Sequence, residues 1–262
     1  MNKKYCKKFG KYLIKIDVSW INNNDFDFFD FIFKKWHDRD DFELNKYTIH
    51  ISDNYLESDI KINSNHQNWK FDFLNNLESN ICKLIADVAI HGSAIIFNNK
   101  MLWLVGKRWS GKSTLAHNII ERFPSFFIED DCIMLIDNKV YGLGFPSKSR
   151  TIIKKKEFIE IDEFGAKRYL YFNEKIINEI DLYPIIIFVH YNENYDNVHK
   201  INQKDLFEQL LCNCKYSNNN KSKFYSLMNI CKCTNAYKIE YTCFDNFLKF
   251  FYENIKEDLW KK

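Results

Sequence analysis

The residues with the clearest chemical signature are eight in a row near the middle of the chain: Gly106, Lys107, Arg108, Trp109, Ser110, Gly111, Lys112 and Ser113. They match the pattern G-x-x-x-x-G-K-[ST] at every fixed position. Glycines let such a loop curl so that successive backbone N–H groups face one anion, and the helix that follows adds the positive end of its dipole. In this pattern Lys112 reaches the outer phosphates of a nucleotide, and the Ser113 hydroxyl binds Mg²⁺.

Three consecutive acidic residues, Glu129, Asp130 and Asp131, follow the next predicted strand. Strand ends in an α/β sheet line the ligand crevice, so we expect these carboxylates to face the phosphates. One of them can hold Mg²⁺, and another can accept the proton of an attacking hydroxyl. The alternative is a solvated acidic turn. His91 precedes a predicted strand hairpin that can bring it back toward the loop. There its side chain can donate a hydrogen bond to a phosphate oxygen or lie near the acidic base.

The elements that must position these residues are visible in the hydrophobic pattern. Around the loop it predicts strands at 93–97, 101–105 and 125–128 and a helix over 113–122, with a turn at Asn98–Asn99. Later strands are expected at 133–136, 139–143, 183–190 and 236–241, and later helices over 203–214, 221–231 and 245–256. The first 90 residues predict strands at 12–20, 46–52 and 58–63 and helices over 25–36 and 76–90. The fold class is therefore α/β, with an α+β N-terminal part.

Composition excludes several classes of protein. The chain has 262 residues, of which 46% are hydrophobic, and a net charge of +3. This apolar share excludes a disordered chain, and no window has about 18 consecutive apolar residues, so we expect no membrane span. The small net charge gives no argument for a nucleic-acid or membrane partner. The basic start of the chain lacks an apolar stretch behind it, so no secretory signal is expected.

Eight cysteines in a chain of this length, without an export signal, favour reduced thiols in a cytoplasm. Two close pairs stand out, Cys212 with Cys214 and Cys231 with Cys233. Four thiolates can hold a tetrahedral zinc ion, which would make a zinc-dependent interaction module. The alternative is four ordinary free thiols, because Cys-x-Cys is looser than the usual zinc knuckle.

The stretch from His91 to Asp131 reads HGSAIIFNNKMLWLVGKRWSGKSTLAHNIIERFPSFFIEDD. It contains, in order, His91–Gly92, a strand hairpin, the loop from Gly106 to Thr114, a helix and Asp130–Asp131. In this it resembles the HPr kinase/phosphorylase-related family of P-loop serine kinases, above all stand-alone relatives of that catalytic domain, some of which act beside peptide-modifying enzymes. The similarity is strong over 91–137 and weaker over 138–262, where Gly144–Phe145–Pro146 and Arg150 fall in the expected order.

The resemblance implies a P-loop kinase core like those of HPr kinase and phosphoenolpyruvate carboxykinase, over 91–262, with 1–90 as an α+β region packed on it. It implies Asp130 as the base, Asp131 and Ser113 as metal ligands, and His91 and Lys112 as further catalytic residues. Glu129–Asp130 stays open as the alternative acidic pair, because the segment from Ser113 to Asp130 is one residue longer than its counterpart in the family. The family's later metal-binding Glu has only Glu157 and Glu160 as candidates here.

The nucleotide-binding residues implied are those from Gly106 to Thr114, with Arg150 as a phosphate clamp; Lys167 and Arg168 are further basic candidates. The leading hypothesis is an ATP- and Mg²⁺-dependent kinase acting on a serine-type hydroxyl of a peptide or protein. A small-molecule kinase, for example for free serine, and a non-catalytic ATP-binding regulator are the alternatives. The resemblance also allows a homo-oligomer.

Overall fold

The computed structural model describes residues 3–18, 25–36, 45–52, 60–61, 66–149, 157–171, 179–181, 184–216 and 220–260. The helices are α1 (Phe26–Ile32), α2 (Trp69–Ile85), α3 (Lys112–Arg122), α4 (Gln203–Cys212), α5 (Asn220–Cys233) and α6 (Phe244–Trp260). None of these helices, within the ranges given, has the length and apolar character needed to cross a membrane.

The strands are β1 (Lys3–Phe9), β2 (Tyr12–Val18), β3 (Asn45–Ser52), β4 (Ile60–Lys61), β5 (Val88–Ile90), β6 (Gly92–Phe97), β7 (Lys100–Val105), β8 (Ser125–Glu129), β9 (Ile133–Ile136), β10 (Lys139–Tyr141), β11 (Ser147–Ser149), β12 (Phe158–Glu163), β13 (Ala166–Tyr171), β14 (Glu179–Asp181), β15 (Ile185–Tyr191), β16 (Asn197–Ile201), β17 (Cys214–Tyr216) and β18 (Ala236–Tyr241). The chain is thus a mixed α/β protein with several sheets.

The chain divides into two compact units. The first comprises Met1–Ile85 and Leu143–Phe172, and the second comprises Ala86–Gly142 and Asn173–Lys262. This division differs from the expected one at residue 90, because the polypeptide leaves the second unit after Gly142 and returns to it near residue 173. The segment between contains the hairpin of β12 and β13, which belongs with the N-terminal elements.

The first unit contains two sheets and an aromatic core. One sheet has the order β1-β2-β3-β4 and the other has the order β11-β13-β12. The phenylalanine-rich stretch of α1 faces inward, as its spacing predicts, and Phe29 packs edge-to-face on Phe73 of α2 with ring centroids 5.2 Å apart. Trp36 stacks on Phe145, and its indole N–H donates to the Leu143 carbonyl at 2.9 Å.

The second unit is built on a six-stranded sheet with the order β16-β18-β15-β7-β6-β8. Its centre is parallel: β15 pairs in parallel with both β7 and β18. One apolar cluster joins the sheet to α3 and α6, and a second joins it to α4, α5 and the antiparallel sheet β14-β10-β9-β5-β17. The central sheet is therefore covered by apolar layers on both faces.

Strand β7, which leads into the glycine loop, shows why this region has to be a strand. Trp103 and Val105 belong to one apolar cluster, whereas Leu102 and Leu104 belong to the other. Successive side chains of a strand point to opposite faces, so a run of apolar residues without alternation is what a strand between two layers requires. The end of β7 is thereby held on both sides.

The predicted local features are largely present. The turn residues Asn98 and Asn99 have φ values of 48° and 60°, as the two-residue hairpin requires. Helix α2 ends at Ile85, however, and Val88–Ile90 form β5, so the prediction of one helix over 76–90 was wrong at its C-terminal end. The pairing of β5 with β9 and β17 outweighs the helical spacing of the apolar residues there.

We expect Leu104→Ala to lower the free energy of unfolding by about 3 kcal/mol, since it deletes a fully buried side chain and leaves a cavity beside the strand that carries the loop. Leu211→Ala is the matched control, because Leu211 is 45% exposed and the same truncation there should cost less than about 1 kcal/mol. Urea denaturation followed by circular dichroism measures both. Equal losses would contradict the two-layer description of β7.

Candidate functional site

The glycine loop joins the end of β7 to the start of α3. Gly111 is the N-cap of α3 and has φ +92°, a left-handed conformation that residues with a side chain rarely adopt. Because the N-cap is a glycine, no side chain caps the first N–H groups of α3, and its first turn contains no acidic residue. The positive end of the helix dipole is therefore not neutralised by the helix's own first turn.

The loop also contains a buried hydroxyl that fits an anionic group. The Ser110 Oγ has no hydrogen-bond partner within the described part of the chain, although Ser110 is buried. A Cβ added to Gly106 would lie 2.8 Å from this oxygen and 2.7 Å from the Val189 carbonyl oxygen, so only glycine fits there. An orphaned donor beside an uncapped helix N-terminus is suited to a phosphate oxygen.

Hydrogen bonds tie the loop to the neighbouring parallel strand. The Tyr191 N–H, at the end of β15, donates to the Ser110 carbonyl at 3.1 Å. The Ser110 N–H in turn donates to the Lys107 carbonyl at 3.2 Å, which closes a turn inside the loop. The curled backbone is therefore held by the central sheet as well as by its own turn.

Lys112, the first residue of α3, has a buried side chain that lies over the loop. Its Nζ donates to the carbonyl oxygens of Gly106 and Lys107, at 3.0 and 2.8 Å. Burial lowers the pKa of Lys112 to about 8, although the negative charges of Asp131 and Asp130 act in the opposite direction. The two carboxylates thus favour the charged form of the Lys112 side chain.

The acidic run places its three carboxylates in different surroundings. The Glu129 Oε1 accepts a hydrogen bond from the Asp130 backbone N–H at 2.9 Å. The Asp130 Oδ1 accepts one from the buried Ser93 hydroxyl at 2.6 Å. The Asp131 Oδ1 lies 3.1 Å from His91 Nδ1 and 3.3 Å from Lys215 Nζ. These contacts join Asp130 to Ser93, and Asp131 to His91 and Lys215, and both carboxylates act electrostatically on Lys112. We call these six residues the acidic cluster.

Two irregularities of the backbone produce this cluster. Strand β8 pairs with β6 through Ala94–Glu129 and Ile95–Phe127, so Ile128 is an extra residue where the strand approaches the acidic run. Asp131 has φ +86°, a strained conformation for an aspartate. Such outliers persist where the surrounding structure holds them, and they are common at functional sites. Here they turn the carboxylates of Asp130 and Asp131 towards Ser93 and His91.

Sequence reasoning missed two members of the cluster, Ser93 and Lys215. Ser93 stands two residues after His91, at the start of β6, and the His-Gly-Ser triplet that opens the family-like stretch is the signal that could have pointed to it. Lys215 lies on the three-residue strand β17, more than eighty residues after Asp131 along the chain. Only the pairing of β17 with β5 brings this lysine to the site.

The other predicted nucleotide-binding residues lie around the loop with more exposure. Lys107, Arg108, Trp109 and Thr114 are exposed, and Ser113 is half-buried. Trp109 is 60% exposed, and the Arg108 guanidinium lies 5.7 Å from the centre of its ring. Arg150 lies outside the described residues.

The remaining candidates have structural partners. Glu157 pairs with Lys34 at 3.3 Å, Glu160 with Lys167 at 2.8 Å, and Arg168 with Glu163, all within the first unit. The paired cysteines have different surroundings: Cys212 and Cys233 are exposed, whereas Cys231 is buried. Across the described ranges, no three His, Cys, Asp or Glu side chains form a cluster that could hold a metal ion, so the structure gives no support to the zinc alternative there.

Comparison with known proteins finds distant likenesses among solved structures alone. No protein-family model matches the sequence, and no curated protein matches it either. Among solved structures, the chain is similar to the Hpr(Ser) kinase/phosphatase from Coxiella burnetii, with 11% sequence identity, a TM-score of 0.33, and coverage of 66% of this chain and 99% of that chain. This is a weak similarity to a kinase/phosphatase, so the function proposed below rests on the site itself.

Gly111→Ala should destabilise the protein for two separable reasons. The new Cβ would lie 2.2 Å from the Tyr241 hydroxyl oxygen, and the left-handed backbone would strain any residue with a side chain. We expect a loss of about 3 kcal/mol for Gly111→Ala alone, and of about 1 to 2 kcal/mol when Tyr241→Phe removes the clashing oxygen, because only the strain then remains. Unfolding free energies of the two single variants and the double variant test this, and a double variant no better than Gly111→Ala would refute the steric part.

Proposed function

We propose that this protein is an ATP-dependent kinase that transfers the γ-phosphoryl group to a serine-type hydroxyl of a peptide or protein. The observation that carries the proposal is a glycine loop whose buried lysine is bonded to two loop carbonyls and opens a helix without a side-chain cap, while two adjacent carboxylates favour the charge of that lysine. Lys112 is stabilised as a cation by Asp131 and Asp130, and it opens the helix that follows the loop. A regulator that only binds nucleotide needs the lysine but not a carboxylate base.

The loop would hold the phosphates through its backbone and two side chains. The uncapped start of α3 and the Ser110 hydroxyl offer hydrogen-bond donors, and Lys112 offers a positive charge. Because Lys112 is already bonded to the Gly106 and Lys107 carbonyls, its ammonium stands at the loop before any ligand binds. This pre-organisation lowers the entropic cost of binding.

Asp130 is our choice for the base. Its carboxylate accepts a hydrogen bond from the Ser93 hydroxyl and favours the positive charge of Lys112. The Glu129 carboxylate instead accepts a hydrogen bond from the adjacent backbone N–H. In the reaction, the acceptor oxygen forms a new bond to the γ-phosphorus while the bond from phosphorus to the β,γ-bridging oxygen breaks. The hydroxyl proton passes to Asp130, and ADP leaves with the bridging oxygen.

Ser113 and Asp131 are the residues that would hold Mg²⁺. Mg²⁺ commonly takes one or two protein ligands and completes its coordination with phosphate oxygens and water. A serine hydroxyl at the start of α3 and one carboxylate suit this requirement. The ion neutralises charge that develops on the phosphate oxygens when it is bound.

A peptide or protein acceptor is favoured by the groups exposed around the loop. Trp109 and Arg108 lie on its surface, and Tyr191 at the end of β15 is 46% exposed. Exposed aromatic and guanidinium groups are common in surfaces that bind peptides. A small hydroxyl compound such as free serine would need none of them. We place the reaction in the cytoplasm, on the cysteine usage of the sequence.

Asp130→Asn should lower phosphoryl transfer by about a thousandfold while leaving ATP binding nearly unchanged, because the amide keeps the shape but cannot accept a proton. Transfer is measured with labelled ATP and a set of serine-containing peptides beside free serine. Glu129→Gln is the matched control and should keep most of the activity. If Glu129→Gln loses transfer and Asp130→Asn keeps it, the base is Glu129.

Lys112→Met should weaken ATP binding by about a hundredfold, since charge-assisted bonds to phosphate are lost. Isothermal titration measures the affinity, and circular dichroism verifies that the variant is folded. A variant that binds ATP like the wild type would remove Lys112 from the site.

A further inference from the structure

Lys215 is brought to the acidic cluster by a β-bulge. Strand β17 pairs with β5 through Cys214–Ile90 and Tyr216–Ala89. Ala89 and Ile90 are adjacent in β5, whereas Lys215 separates their two partners in β17. Lys215 is therefore the extra residue of the bulge. Bulges redirect a side chain, and they recur beside active sites. The pairing continues past the end of β5, where the His91 N–H donates to the Asn213 carbonyl at 2.8 Å.

The bulge directs Lys215 to a particular oxygen. Its Nζ lies 3.3 Å from Asp131 Oδ1, the same oxygen that faces His91 Nδ1 at 3.1 Å. Lys215 is half-buried, with its side chain 22% exposed, so its ammonium is not simply a solvated surface charge. The two groups that contact Asp131 come from β17 and from the residue before β6.

The charge of Lys215 is also felt by Lys112. Among the charges that act on Lys112, Asp131 and Asp130 stabilise its positive charge and Lys215 opposes it. Two ammonium groups near each other repel, and this repulsion is reduced when more negative charge lies between them. The outer phosphates of a nucleoside triphosphate carry several negative charges. They would add to the charge of the carboxylates and reduce the repulsion between the two ammonium groups further.

We propose that Lys215 is a second phosphate-binding cation of this site and contacts the terminal phosphate of ATP. In the free protein it is bonded to Asp131; with nucleotide and metal bound, it exchanges that bond for one to a phosphate oxygen. As a compact point charge with three donors on a flexible stem, a lysine can make this exchange without backbone movement. The proposal rests on the proposed function, because it requires that the loop binds ATP.

The test compares ATP with ADP in the presence of Mg²⁺, by isothermal titration on the full chain. We expect Lys215→Met to weaken ATP binding by about tenfold or more and ADP binding far less, because only ATP has the terminal phosphate. Lys215→Arg should restore most of the preference for ATP. Lys232→Met, on the exposed face of α5, is the matched control and should leave both affinities unchanged.

The possible failures are distinguishable. If Lys215→Met weakens ATP and ADP equally, or neither, Lys215 only positions Asp131 and the inference is overturned. If the wild type binds neither nucleotide, the proposed function itself fails. Lys215→Gln is measured in the same way beside the Met variant, with circular dichroism to verify folding, so that the result does not depend on one substitution.

Discussion

A buried ammonium ion must be compensated by nearby negative charge or by hydrogen bonds, and the Lys112 side chain receives both. Two loop carbonyls accept from its Nζ, and the negative charges of Asp130 and Asp131, which follow β8, favour its charged form. Removal of either support would leave a charge in a poorly solvated place. The acidic residues after β8 therefore matter as much for the protein as the loop itself.

The fold meets this requirement by holding the end of β7 rigidly. Apolar layers cover both faces of the central sheet, and β15 both pairs with β7 and hydrogen-bonds the loop at Ser110. The bulge in β8 and the strained backbone of Asp131 then turn the acidic residues towards His91 and Ser93. Rigid strands thus present residues whose own backbone is irregular.

The arrangement also explains why the three acidic residues are not equivalent. Glu129 is occupied by the adjacent backbone N–H, Asp130 by the Ser93 hydroxyl, and Asp131 by His91 and Lys215. These contacts differ from one carboxylate to the next, so their chemical roles can differ even though they are consecutive in the chain. The second lysine gives the cluster a positive charge that a glycine-loop pattern does not include.

Local sequence determined the elements and the loop. Patterns of only a few residues predict them: the apolar run of β7, the paired asparagines of the hairpin turn, and the glycines at 106 and 111. The helix over 76–90 was predicted less well, because long-range strand pairing decides whether 88–90 is a helix or a strand. Ser93 belongs to the His-Gly-Ser triplet of the family-like stretch, but its partner Asp130 is set by strand pairing, and no local pattern points to Lys215. Their place beside Asp130 and Asp131 comes from the pairing of β6 with β8 and of β17 with β5, which joins residues distant along the chain and exists only in the folded protein.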